Sequence, residues 1–234
     1  MKIISSRIFL FFIILSLLVG CSSGKRLTKQ EVFPKMYGDV DAGRTSPISI
    51  LVLPAQNNST AADAVDLYNV TVVEELSKAG YYIFPLEVVT DILRKEGIVN
   101  TETIREIPLD AFKKGFGADA VLFITINSWN TAYWIIFSHV EVSLDFSLYS
   151  TTTNNLLWSH SATAKVSSSD AADEDLVGAI IYSAIVGTIT KYITLAKEAN
   201  SKAFSTLPVG PYHELYREDG NEKVDAQWSP YKKE

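Results

Sequence analysis

What is scarce in this chain narrows its chemistry first. Cys21 is the only cysteine among 234 residues. No disulfide can form within one molecule, and thiolate zinc sites and thiol catalysis are excluded if that cysteine is otherwise occupied. The fold must then be held by its hydrophobic core. Positive charge is not in excess: 21 Lys and Arg stand against 27 Asp and Glu, a formal net charge of −6 with a pI near 5.2. Such a chain repels phosphate backbones, so no nucleic-acid partner is expected. Histidine is limited to His139, His160 and His213, in no metal-ligand spacing. There is no tandem repeat.

What is present begins at the N-terminus. Lys2 and Arg7 precede an apolar run over residues 8–19, broken only by Ser16. A basic start before a short apolar run is the pattern of a secretory signal. The run is well short of the roughly 20 residues a membrane-spanning helix needs. Leu18-Val19-Gly20-Cys21 closes it as a lipobox. The small residues admit the backbone to a membrane-embedded peptidase, and the thiol is the group that can carry a diacylglycerol thioether. Residues 1–20 are therefore expected to be a signal peptide, and Cys21 the lipidation site that attaches the protein to a membrane through acyl chains. Ser22 follows, where Asp would be the usual inner-membrane retention signal. By likeness to known lipoproteins, this favours the outer membrane, facing the periplasm.

Residues 21–45 read as a polar, mobile lipidated tether, with Pro34 and Tyr37 placed to dock part of it. A single domain of residues 46–206 is expected next, then a polar C-terminal tail of residues 207–234. In the domain, the β-branched run 48–53 lies between Pro47 and Pro54 as a buried strand. Val65, Tyr68, Val72, Leu76 and Ala79 recur on one face of a helix over 61–79 that ends at Gly80. A strand over 81–84, a helix from Pro85 to about Glu96, short helices over 101–114 and a strand over 120–126 follow. Then the period changes. Val140, Val142, Leu144, Phe146 and Leu148 alternate with polar residues, which predicts a strand with one buried face. Residues 156–166 return beside it as a hairpin, and 133–137 pair on its other side. A long helix is expected over about 173–203. The fold class is thus α/β, a mixed sheet with helices packed on it.

Four stretches together resemble a known family: Ser46-Pro47-Ile48-Ser49-Ile50-Leu51-Val52-Leu53-Pro54 with Asn57-Asn58-Ser59; Ala79-Gly80-Tyr81-Tyr82-Ile83-Phe84-Pro85; Gly117-Ala118-Asp119-Ala120-Val121-Leu122; and Leu156-Leu157-Trp158. The likeness spans about residues 33–200. It is to bacterial lipoproteins of unknown function, one of which was pursued as a surface vaccine antigen. The resemblance implies a fold like the N-terminal domain of TolB, shared with the curli-secretion lipoprotein CsgG and the lipoprotein activators of penicillin-binding proteins. It implies work in envelope assembly and supplies no catalytic residue. The motifs themselves read as architecture: glycines at turns, Asp119 accepting backbone hydrogen bonds before a strand, and Asn57-Asn58-Ser59 bracing the first strand-to-helix turn.

Catalytic constellations are weak. Asp145, Ser159 and His160 can be drawn as a triad, but no nucleophile-elbow sequence accompanies them. Asp170, Asp173, Glu174 and Asp175 fit the start of a helix better than a cation site. Residues 176–196 are almost all apolar or small, yet Ser183, Thr188, Thr190, Lys191 and Thr194 are poor lipid-facing choices. Ala179, Ser183 and Gly187 fall at four-residue steps, a surface that permits close helix approach and hence a partner or subunit contact. The expectation is a non-enzymatic outer-membrane lipoprotein with no cofactor and no metal. It would bind or assemble with envelope proteins, a CsgG-like lipoprotein or further copies of itself. The alternatives are an accessory subunit of a CsgG-like secretion complex and an envelope hydrolase.

Overall fold

The computed structural model describes residues 26–38, 46–133, 138–167 and 188–224. Cys21, Ala179, Ser183 and Gly187 lie outside the described residues, as do the acidic positions 170–175 and the first part of the expected long helix. Among the described residues, no helix is long and apolar enough to cross a membrane.

A short helix α1 (Lys29–Val32) and a 3-10 turn (Pro34–Met36) lead into strand β1 (Ser49–Val52) and its continuation β2 (Gln56–Asn57). Helix α2 (Ala64–Lys78), strand β3 (Tyr82–Ile83), and helices α3 (Leu86–Lys95), α4 (Thr101–Glu106) and α5 (Leu109–Phe116) follow. Strands β4 (Ala120–Tyr133), β5 (Ser138–Ser150) and β6 (Leu156–Ser167) and helix α6 (Thr188–Phe204) complete the domain. The sheet order is β3-β1-β4-β5-β6, with β2 also on β4. β3, β1, β2 and β4 are joined by parallel pairings, and β4–β5 and β5–β6 are antiparallel.

The two crossovers explain the layers. From β1 to β3 the chain moves one way along the sheet, and from β3 to β4 it moves the other. Crossovers of one hand must then fall on opposite faces. Accordingly, Ile50, Val52, Leu122 and Ile124 pack with Tyr68, Val72 and Leu76 of α2 and with α6. Leu51, Leu53, Val121 and Phe123 pack with Val89, Leu93, Ile104 and Phe112 of α3–α5. Both faces of β1 are covered, which is why its residues are apolar without alternation.

Among the described residues, coverage then becomes one-sided. Val140, Val142, Leu144, Phe146 and Leu148 are buried as the alternation predicts, while Glu141, Ser143, Asp145 and Ser147 are only half-buried. A register shift between Ile126 and Ser128 leaves Asn127 as an extra residue in β4. This bulge returns Trp129 to the core face, where it stacks on Tyr192 with ring centroids 5.2 Å apart. The strand on the far side of β5 is β4 itself, which runs on to Tyr133, rather than a separate piece over 133–137. Residues 134–137 lie outside the described set.

α6 presents Tyr192, Leu195, Ala196, Ala199, Ala203 and Phe204 inward at three- and four-residue steps. Its alanines allow close approach to α2, and one polar network is buried between these helices. The Tyr68 hydroxyl donates to Asn200 Oδ1 at 3.0 Å, Asn200 Nδ2 donates to Thr71 Oγ1 at 3.0 Å, and Thr71 Oγ1 donates to the Tyr68 carbonyl at 2.7 Å. Burial raises the Tyr68 phenol well above its ordinary range, so it stays a neutral donor. Satisfied in this way, the trio fixes the register of the two helices. Asn200→Ala strands two buried partners and is expected to cost about 2 kcal/mol, read from the shift in a urea unfolding midpoint at unchanged m-value.

Candidate functional site

A polar cluster lies at the end of the sheet where β1 and β4 begin, and it is organised by Asp119. Its Oδ2 accepts from the Ile48 and Ser49 amides (3.1 and 3.2 Å) and from Ser49 Oγ (3.1 Å). Its Oδ1 accepts from Lys113 Nζ at 2.6 Å. The Asp119 amide donates back to Ser49 Oγ, and Thr151 Oγ1 donates to the Ala118 and Asp119 carbonyls. One residue thus ties the start of β1, the start of β4 and the end of β5. Gly117 at φ +74 turns the chain out of α5 so that Asp119 reaches this position. Burial alone would raise the Asp119 carboxyl, but Lys113, the Ile48 amide and Ser49 overcome it and hold it below the ordinary carboxylate range.

A cleft of about 410 Å³ opens beside this latch, lined by Lys35, Ile48, Asp119, Thr152, Asn155 and Leu157 among others. Lys35 Nζ donates to Asn155 Oδ1 at 3.3 Å. Both Asp119 oxygens are already engaged, and no nucleophile stands beside a base among the described lining residues.

A second polar hub leaves no signature in the sequence. Lys29 and Asp219 are both buried, with Nζ and Oδ2 3.3 Å apart. Asp219 also accepts from the Tyr37 hydroxyl at 3.0 Å and the Val209 amide at 2.9 Å, and Lys29 pairs with Glu222 at 2.7 Å. Burial, then the Asp219 charge, pushes the Tyr37 and Tyr81 phenols upward, so both remain neutral donors. Around the hub the two flanking segments join. Thr28 pairs with Lys223 in an antiparallel bridge, the Lys29 amide donates to the Glu222 carbonyl and the Val224 amide to the Leu27 carbonyl. Val32, Phe33, Met36, Leu207 and Val224 are buried in the main core. Residues 26–37 and 207–224, read from sequence within a tether and a tail, are packed parts of the domain. The local cue for the first is Thr28-x-x-Glu31, which forms a capping box at the start of α1.

The Ala79-Gly80-Tyr81 stretch is where the C-terminal segment crosses. The Gly210 amide donates to the Ala79 carbonyl at 2.7 Å and the Tyr212 amide to the Gly80 carbonyl at 3.0 Å. The Tyr81 hydroxyl donates to the Pro208 carbonyl. Gly80 sits at φ +82, and a Cβ there would lie 2.5 Å from the His213 amide nitrogen. This crossing therefore demands glycine on two counts. Asn57 braces the first turn as its sequence implies, accepting from the Ser59 amide and hydroxyl and donating to the Ala61 carbonyl.

The two described histidine side chains have separate surroundings. His160 stacks on Trp158 and lies 3.4 Å from Thr206 Oγ1, and burial lowers its pKa. His213 Nδ1 accepts from the Leu215 amide. The side chain of His139 is outside the described set. Asp145 and His160 cannot act together, because adjacent cross-strand pairs place them on opposite faces of the sheet. His160 pairs with Phe146 toward α6, while Asp145 accepts from Ser161 and Asn127 on the polar face. No cluster of metal-ligating side chains occurs among the described residues.

The family model described as "Putative lipoprotein GNA1162-like" matches residues 38–209. The chain belongs to the GNA1162-like lipoprotein family. It is 32% identical over 168 residues to "Putative lipoprotein NMB1124/NMB1162" of Neisseria meningitidis serogroup B (strain ATCC BAA-335 / MC58), covering 72% of this chain and 77% of that protein. The crystal structure of lipoprotein GNA1162 from Neisseria meningitidis aligns at 32% identity with a TM-score of 0.51, over 62% of this chain and 99% of that one. A PelC dodecamer from Paraburkholderia phytofirmans aligns at 14% identity and a TM-score of 0.44, over 80% of this chain and 95% of that one. A likeness that low does not speak for function. The mixed sheet and the GNA1162-like relationship agree with the resemblance drawn from the four motifs. In this GNA1162-like chain, two of those motifs are the C-terminal crossing at Gly80 and the latch at Asp119.

Two outcomes are expected. Asp119 is a lowered carboxylate, so its contribution is present above the unfolded carboxylate range near pH 4 and is lost as pH falls through its lower folded value. Asp119→Asn should be less stable at neutral pH by about 1–3 kcal/mol and show a shallower stability loss on acidification, read from urea melts across pH. At the second hub, Lys29→Met leaves Asp219 buried without its cation and should cost about 3 kcal/mol. The double variant Lys29→Met/Asp219→Asn should lose clearly less than the sum of the two singles, and hydrogen exchange at the Lys29 and Val224 amides should accelerate first.

Proposed function

We propose that this lipoprotein works at the outer membrane, on its periplasmic face, as a non-enzymatic binding or assembly component of the cell envelope. Its partners are envelope proteins, a CsgG-like lipoprotein among them, or further copies of itself. The observation that carries this reading is the form of the β4–β6 half of the sheet. Its core face is filled by α2 and α6, while its other face carries Glu141 paired with Lys165, Ser143 with Thr163, and Asp145 with Ser161 and Asn127. The twelve-residue strand Leu156–Ser167 has no strand on its outer side among the described residues. An edge of that length offers a row of backbone donors and acceptors for another chain, and a face of paired polar groups suits protein contact. Reaction chemistry would need a pocket with convergent perturbed groups, and the cleft beside Asp119 has its carboxylate already engaged.

Ala179, Ser183 and Gly187 lead up to α6 and remain the first positions to probe for a helix contact. The test is the native mass of the lipidated protein extracted from its own membranes in mild detergent, with mass spectrometry of each species. A complex larger than one chain is expected, and Gly187→Leu should shrink it. A monomer in all extracts would overturn stable assembly. An unchanged complex with Gly187→Leu would remove that helix face from the contact.

A further inference from the structure

At the border between the doubly covered part of the sheet and its polar face stands an arginine without a counter-ion. Arg105 lies in the last turn of α4. Its Cζ is 5.1 Å from the centre of the Phe123 ring, and its Nη2 donates to Thr125 Oγ1 at 2.7 Å. Phe123 is itself fixed by an edge-to-face contact with Tyr149, ring centroids 5.9 Å apart. The guanidinium therefore rests on an aromatic floor, while the residue stays exposed on its outer side. Next to it, Thr125 and Ser147 are half-buried, and Ser161 and Thr163 further along the same face are exposed.

No carboxylate answers this charge among the described residues, whereas Lys113, Lys114 and Lys165 each have one. Asp145 stands directly across from Thr125, yet its oxygens accept from Ser161 Oγ at 2.5 Å and from Asn127 Nδ2 at 2.6 Å. Partial burial lowers the Arg105 pKa, against a smaller opposing effect of Tyr149, and the guanidinium remains charged. A cation that has lost part of its hydration and gained no anion is poorly compensated, and an incoming carboxylate compensates it. The planar fork matches a carboxylate through paired N–H donors. Phe123 and Thr125 already set its direction, so little side-chain freedom remains to be lost on binding.

We propose that Arg105 anchors a docking site for another envelope protein, taking an Asp or Glu side chain of that partner, whose chain lies over Ser147, Ser161 and Thr163. This names the partner chemistry of the polar face and rests on the assembly reading, and the experiment separates the two. Asp145 adds a condition. The partner residue that meets it is neutral or basic, since a further carboxylate there would be repelled.

Arg105→Lys keeps the charge and supplies an amine at this position. The lipidated full chain carrying it is treated with a carbodiimide in its own membranes. The reagent activates a carboxyl group, the amine attacks it to form an isopeptide bond, and the carbodiimide leaves as the urea, having taken up the water lost. Peptide mass mapping is expected to find position 105 joined to an Asp or Glu of a different protein. Arg105→Gln is expected to lower the amount of native complex several-fold at an unchanged urea unfolding midpoint. Arg94→Gln, at an exposed position of α3, should leave the complex as it was. No bond at position 105, a bond only to carboxyl groups of this chain's own sequence, or a phosphoramidate to lipid overturns the proposal. A complex of unchanged abundance with Arg105→Gln also overturns it and leaves the assembly reading intact. A midpoint that falls together with the complex assigns Arg105 to the fold and overturns the docking role. A monomer in every extract overturns the assembly reading and this site with it.

Discussion

Strand β4 is the constraint on which the rest of the molecule depends. Among the described strands it alone carries parallel partners on one edge and a full antiparallel partner on the other. Its first residues, Ala120 to Ile124, are buried between two helical layers, while beyond them Asn127 and Asn130 are exposed on one side. That change of environment within one strand divides the molecule. Where β4 is covered twice, the sheet is a dry core, and where it is covered once, the sheet presents a polar face. The bulge at Asn127 keeps Trp129 in the core after the change, since without the extra residue every later side chain would fall on the wrong face.

Much of this is legible in local pattern because local pattern has a physical cause. The strict alternation over 139–149 states that one face is buried, and the doubly buried β1 shows as an unbroken β-branched run. Spacing alone starts helix α2 a few residues too early, where Asn57 and Ser59 instead hold a turn. The long C-terminal helix is expected from about residue 173, and the described part, Thr188–Phe204, carries the inward stripe that its spacing implies. The bulge leaves no mark, because one extra polar residue among alternating ones looks like ordinary alternation.

The candidate site is legible only in part, for a different reason. Asp119 lies in a recognisable motif, and its role as an acceptor for nearby backbone follows from its place before a strand. Lys29 and Asp219 are 190 residues apart, and no periodicity links them. Each reads as a surface charge in a polar stretch, since charged residues are rarely buried unless paired. The segments around them look like tether and tail because their buried groups are few. Isolated residues such as Leu207 and Val224, and a carboxylate satisfied by a phenol, an amide and an ammonium, do not make a hydrophobic pattern. Gly80 reads correctly as a helix stop, but the backbone crossing it from Gly210 is visible only in three dimensions.

The clasp between the chain's two flanks also has a consequence in time. Lys29 is made early and Asp219 late, and the core positions Leu207 and Val224 arrive with the latter. The last layer of the domain cannot close until nearly the whole chain is available, and contacts of such long sequence separation form slowly. Placing the closing contacts near the end of synthesis keeps this layer of the domain open until translation is almost complete.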